Sequence, residues 1–148
     1  MMEHQPTRKR LPRSRRGVTH SVTVSGADLF VTANGFEDGS LGEVFAKWGK
    51  AGSTAAGLMD AFSIVMSLAV QYGVPVDVIV SKLKDQRFEP EGMTNDADIP
   101  YVTSVMDWLA RRIALDFLSA ERCAELGILS VDEEARGLSA KQPAAITT

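Results

Sequence analysis

The apolar residues of this chain change their period once, at Gly49-Lys50-Ala51-Gly52, and that change limits it to folds in which strands come first and helices after. Upstream, VTHSVTVS over 18–25 sets Val18, His20, Val22 and Val24 against Thr19, Ser21, Thr23 and Ser25, the alternation of a strand with one buried face. Gly26-Ala27-Asp28 supplies a turn, and LFVTAN over 29–34 returns as the antiparallel partner. Gly35 and Asp38-Gly39 punctuate the next stretch, after which LGEVFAKW over 41–48 places Val44, Ala46 and Trp48 on one face of a third strand.

Downstream the spacing becomes helical. Ser53 is an N-cap, and Ala55, Leu58, Met59, Phe62, Val65, Met66, Ala69 and Tyr72 recur on one face of a helix predicted over 53–72. Ile64, Leu68 and Val70 widen that face until only a thin stripe of Asp60, Ser63, Ser67 and Gln71 stays polar, which predicts a central helix. Gly73 and Pro75 separate it from a second helix over 75–84, with Val76, Ile79, Val80 and Leu83 inward. DQRFEPEGMTNDADIP reads as irregular. Asp98 then caps a third helix over 99–118, with Val102, Val105, Met106, Leu109, Ile113 and Phe117 inside and Arg111 and Arg112 outside. A short helix over 119–126 follows, capped by Ser119 and ended by Gly127. The expectation is an α+β fold: a small three-stranded antiparallel sheet (18–25, 29–34, 41–48) with three or four helices (53–72, 75–84, 99–118, 119–126) packed on one face. A single domain over 18–127 would stand between a basic flexible arm, 1–17, and a largely disordered tail, 128–148.

The arm contains RKRLPRSRRG (8–17), six positive charges in a chain of net charge −3; removing them leaves about −9 elsewhere. A folded part so acidic repels phosphate, which argues against a nucleic-acid coat and makes a small nucleic-acid-associated protein, bound through the arm, the alternative reading. No run approaches the roughly eighteen uninterrupted apolar residues of a membrane span, and no apolar segment follows the basic N-terminus, so a cytoplasmic protein without membrane contact is expected. Cys123 stands alone, with His4 and His20 as the only histidines, so neither a disulfide nor a metal site is expected. Gly42, Gly49 and Gly52 match no phosphate-cradling loop. Glu37, Asp38 and Glu43 read as a solvated acidic turn in preference to an acid–base pair, and Cys123 as a half-buried helix residue. No catalytic residue is assigned. In the loop around Arg87, Phe88, Glu89, Pro90, Gly92 and Met93 the phenylalanine is either a docking element or a plug under the helices. The wide apolar circumference of the first helix permits self-association into a homo-oligomer.

Four blocks, RKRLPRSRRGVTHSVTV, GFEDGSLGEVFAKWGKAGS, SLAVQYGVPVDVIVSKLKDQRFEPEGM and TSVMDWLARRIALDFL, together resemble, in order, the C-terminal region of cobalamin-dependent (class II) ribonucleotide reductases, the TSCPD domain family. The resemblance covers about residues 8–118 and implies a part in deoxyribonucleotide biosynthesis for DNA replication. It implies that adenosylcobalamin and nucleotide binding belong to the parent enzyme and that no cofactor is bound by this chain. It also implies a catalytic barrel subunit as partner. Arg8, Lys9, Arg10, Arg13, Arg15 and Arg16 then resemble a connector that meets carboxylates of the reductase body; Arg87, Phe88 and Glu89, on the chemistry of their own loop, are the other candidate partner contact. Ribose reduction by a thiyl radical needs several thiols; with Cys123 alone, and with the barrel and the CxxC-bearing tail of the long reductases absent, the chain is expected to be inactive by itself and to serve as an accessory module.

Overall fold

The fold was analysed in a computed structural model, which describes residues 5–131. These residues form β1 (Gly17–Val24), β2 (Ala27–Gly35), β3 (Leu41–Trp48), α1 (Thr54–Gln71), α2 (Val76–Leu83), β4 (Gly92–Met93), β5 (Tyr101–Val102), α3 (Val105–Phe117) and α4 (Ala120–Glu125). The three-stranded antiparallel sheet followed by four helices is the expected α+β order. The chain groups into two compact units. One comprises the described residues up to Ser21 with Asp28–Pro75; the other comprises Val22–Ala27 and the described residues from Val76 onward.

In the first unit the strand order is β1-β2-β3, and β2 pairs β3 with Leu29 opposite Trp48 and Thr32 opposite Phe45. Leu29, Val31, Ala33, Val44 and Ala46 are buried on one face, as alternation requires. β3 is an edge strand, and an uncovered edge leaves backbone donors and acceptors without partners. α1 covers it. Ser63 Oγ accepts from the amide of Ala46 (3.0 Å), Ser67 Oγ accepts from the amide of Val44 (3.0 Å) and donates to its carbonyl (3.1 Å), and Gln71 Nε2 donates to the carbonyl of Gly42 (2.9 Å). The match is metric: four helical residues rise about 6 Å and two strand residues about 6.7 Å, so every fourth side chain of the helix meets every second residue of the strand.

This geometry turns α1 part of the way from its expected orientation. Ser63, Ser67 and Gln71, three of the four residues that the sequence marks as the thin polar remainder, face inward because they satisfy the sheet edge, while Asp60 stays exposed. Met59, Met66 and Val70 are buried beside them, while Leu58, Ile64 and Val65 are 67%, 63% and 65% exposed. By length and composition α1 is also apolar enough to cross a membrane; its bonds to β3 explain why Ser63, Ser67 and Gln71 interrupt it.

In the second unit α2 packs on α3 around Val80, Val102, Val105, Leu109 and Ile113. α3 begins at Val105, six residues later than the capping signal at Asp98 suggests. Met93 and Tyr101 pair as a short hairpin, Thr94 donates its amide to the carbonyl of Pro100 (2.9 Å), and Ser104, whose hydroxyl accepts from the amide of Asp107 (3.0 Å), is the actual N-cap. Arg112, expected outside, is buried among acids: it donates to Asp96 (3.1 Å), Asp98 (3.1 Å) and Asp116 (2.8 Å). Burial by itself lowers the pKa of this guanidinium, but Asp116, Asp98 and Asp96 raise it further than burial lowers it. Trp108, absent from the predicted inner stripe, is fully buried because its indole N–H reaches Asp96 (2.9 Å). Asp85, with a left-handed φ of 67°, has its carboxyl held below the ordinary 3.8 by the hydrogen bond from Lys84 and by Arg111. Ile128 is buried, its amide bonded to the carbonyl of Cys123 (2.8 Å); the rest of the predicted tail from residue 132 lies outside the described residues.

Candidate partner-binding surfaces

The basic segment splits into charges engaged within the chain and charges left free of side-chain partners among the described residues. Lys9 donates its amide to the carbonyl of Gln71 (2.8 Å), and Arg8 Nε donates to Gln71 Oε1 (2.6 Å), so one glutamine ties the segment to α1 and α1 to β3. Lys9 Nζ sits 4.2 Å from the centre of the Phe36 ring, a cation–π contact. Arg15 grips Glu43 with two donors (2.5 and 3.0 Å), and Asn34 Nδ2 donates to the same carboxylate (2.9 Å). Glu43 is thus buried beneath the segment, not part of a solvated acidic turn. Glu37 stays exposed, and Asp38 is exposed with its carboxyl held below the usual range by hydrogen bonds from the Ser40 hydroxyl and amide. Arg10, Arg13 and Arg16 are exposed, and their side chains make no hydrogen bond or ion pair among the described residues.

Leu11 explains a glycine. A β-carbon on Gly42 would lie 2.6 Å from Leu11 Cδ2, so the segment rests on bare backbone at this point. Gly42→Ala is expected to push Leu11 off β3. Limited trypsinolysis at Arg13, Arg15 and Arg16 should then run about tenfold faster, equivalent to about 1.4 kcal/mol of lost docking. An unchanged cleavage rate would show that Leu11 does not hold the segment.

Between α1 and β3 lies a groove of about 490 Å³, lined by residues including Arg8, Phe45, Lys47, Asp60, Ile64 and Leu68. Lys47 and Asp60 form an ion pair across it at 2.6 Å. Its volume suits a small organic molecule. Among the described residues no group of three His, Cys, Asp or Glu side chains is placed to hold a metal ion. Cys123 is fully buried on α4, its thiol 3.1 Å from the carbonyl of Ala114, which does not match the half-buried reading.

The loop at 87–93 belongs to the second unit. Arg87 pairs with Glu91 (2.7 Å), Glu91 also accepts from the Tyr101 hydroxyl (3.2 Å), and Glu89 is exposed. Phe88 donates its amide to the carbonyl of Thr103 (3.1 Å) and leaves its side chain 40% exposed. Tyr101 and Met93, opposite each other across β4 and β5, are also exposed, at 53% and 65%. Sequence reading picked out the loop but missed Tyr101, which it placed in a helix; the hairpin forms only because residues 92–93 and 101–102 meet.

The fold defines a small α+β module in which a helix seals a sheet edge and a basic segment is clasped onto both. The TSCPD domain model matches residues 4–117, and the chain belongs to that family. It is 52% identical over 138 residues to the vitamin B12-dependent ribonucleotide reductase of Streptomyces avermitilis, an alignment covering 93% of this chain and 14% of that protein. The proteins of the same description from Rhodopirellula baltica and Agrobacterium fabrum are 41% and 35% identical over 116 and 132 residues, covering 78% and 88% of this chain and 11% and 10% of theirs. The chain therefore spans only about a seventh of the length of the first of these relatives. No solved structure matches it.

Proposed function

We propose that this chain is a TSCPD module serving as a structural or accessory part of a class II ribonucleoside-diphosphate reductase, working in the cytoplasm in the supply of deoxynucleotides for DNA replication. The observation that carries the reading is the family match over residues 4–117 together with relatives that are vitamin B12-dependent ribonucleotide reductases by name. Cobalamin and the radical thiols would reside in the catalytic barrel. In this reading 18–127 is the family domain and 1–17 its connector.

The docking surface would use the charges that the fold does not consume. Arg8, Lys9 and Arg15 are engaged within the chain, so Arg10, Arg13 and Arg16 are left to meet carboxylates of a partner, and the exposed Phe88 beside Arg87 and Glu89 forms a second contact. This division also weakens a nucleic-acid role, since three of the six charges are already engaged within the chain.

Two measurements test the proposal. The purified chain with adenosylcobalamin, a ribonucleoside diphosphate and a dithiol is expected to give no deoxynucleotide, and product formation would end the accessory reading. Pull-down from the native extract is expected to recover a cysteine-bearing barrel subunit. Replacing Arg10, Arg13 and Arg16 together with alanine should weaken that recovery at least tenfold while Arg15 still anchors the segment. Equal recovery by both proteins would remove the arginines from the interface.

A further inference from the structure

α1 turns outward a stripe with heptad spacing. Leu58, Val65 and Tyr72 recur every seven residues, and Ala61 and Leu68 fall at the intervening positions, the pattern of an a/d seam. Leu58, Ala61, Val65 and Tyr72 are exposed and Leu68 is half-buried. The residues that face the chain's own interior, Met59, Ser63, Met66, Ser67 and Val70, all lie at other heptad positions. We propose that this stripe is the interface of a homodimer, in which α1 of two copies of the chain pack antiparallel about a two-fold axis at the level of residue 63.

The argument for a second copy as occupant is that the stripe complements itself. Reversing one helix sets each a position opposite a d position: Leu58 meets Leu68 of the second copy, Ala61 meets Val65, and Tyr72 meets Thr54. Small and branched side chains then meet at the centre, where the helices come closest, and leucine pairs flank them. The axis falls at the midpoint of Thr54–Gln71, so the two helices overlap along their whole length. The charges permit the same arrangement. Asp60 is the one charged residue of α1; it lies off the stripe, paired with Lys47, and neither end of the helix carries an acid or a base in its terminal turn. Antiparallel packing also sets opposite ends of the helix dipoles together. A lipid surface is a poorer fit, because interfacial helices carry lysine and arginine on their polar face and α1 has neither.

The area is adequate. With Ile64 and Phe45 at its flank, the stripe offers seven side chains at on the order of 100 Å² each, approaching the roughly 800 Å² per partner of a standard interface. This inference goes beyond the proposed function and stands without it, since it needs no reductase subunit.

Sedimentation velocity of the full chain over about 1 to about 200 µM should show a monomer–dimer transition, and Val65→Glu should move its midpoint upward at least tenfold. Val65 is exposed, so circular dichroism is expected to show that variant folded. The register is tested by cross-linking: Leu58→Cys mixed with Leu68→Cys should oxidise to a disulfide-linked heterodimer. Leu58→Cys alone should not, because ten helical residues place its counterpart about 15 Å away. Cys123, being buried, stays out of this chemistry. A monomer at every concentration, an unshifted midpoint in Val65→Glu, or self-linking of Leu58→Cys would each overturn the proposal. So would a stripe found to bind phosphatidylcholine vesicles, or a reductase subunit, while the free chain stays monomeric.

Discussion

Changing Ser63 and Ser67 together to alanine is expected to destabilise the protein by about 3 kcal/mol, the cost of leaving buried polar backbone groups of an edge strand without partners. The sign is the informative part. Had these serines lain on a solvent face, alanine would raise helix propensity and stabilise the chain by up to about 1 kcal/mol for the pair. Here Ser63 carries the amide of Ala46, and Ser67 carries both the amide and the carbonyl of Val44. Alanine reaches none of them, and with α1 lying over the edge, water gains access only if the helix moves away. Urea unfolding of wild type, each single variant and the double variant would measure the effect. A double variant as stable as wild type would mean that the helix does not seal the strand. The same variant bears on function: loosening α1 also loosens Gln71, which anchors Arg8 and Lys9, so the basic segment should become more sensitive to trypsin.

Asp107→Ala is expected to cost about 3–4 kcal/mol. The Asp107 carboxylate is 2% exposed and collects donors from three places: the amide of Asp85 (2.8 Å), the amide of Thr103 (3.1 Å) and Arg111 Nε (2.9 Å). It thereby ties the end of α2, where Asp85 adopts its left-handed conformation, to the start of α3. Alanine removes the acceptor from two backbone amides and from a half-buried guanidinium at once. Asp107→Asn keeps one acceptor oxygen and should lose about half as much. Chemical denaturation followed by Trp108 fluorescence reports this directly, since that ring sits in the core of the same unit. A loss below about 1 kcal/mol for alanine would show that water takes over these bonds.

The candidate surfaces follow the same logic of which polar groups the fold has already claimed. Six cations in ten residues suggest an arm available to partners, yet Arg15 answers a carboxylate that the segment itself buries, and Arg8 and Lys9 attach to the last residue of α1. Half of the charge is part of the fold; the other half, Arg10, Arg13 and Arg16, is left for a partner. No composition count separates the two sets, because both are arginines a few positions apart.

The element order was legible from the sequence alone, as were the strands, the caps at Ser53 and Ser119 and the extent of the first helix, because periodicity and capping are properties of neighbours along the chain. Family membership was legible too, since it rests on the order of short blocks. Tertiary structure decided which side of α1 faces in, that Glu43 and Arg112 are buried, and that Ser104 in place of Asp98 caps α3. Each of these depends on a partner distant in sequence: the edge of β3, Arg15 and Asn34, the acids around Arg112, and the pairing of Met93 with Tyr101. A polar stripe reads as a solvent face when water is the only partner in view, and it turns inward when an unpaired strand edge offers better hydrogen bonds than water does.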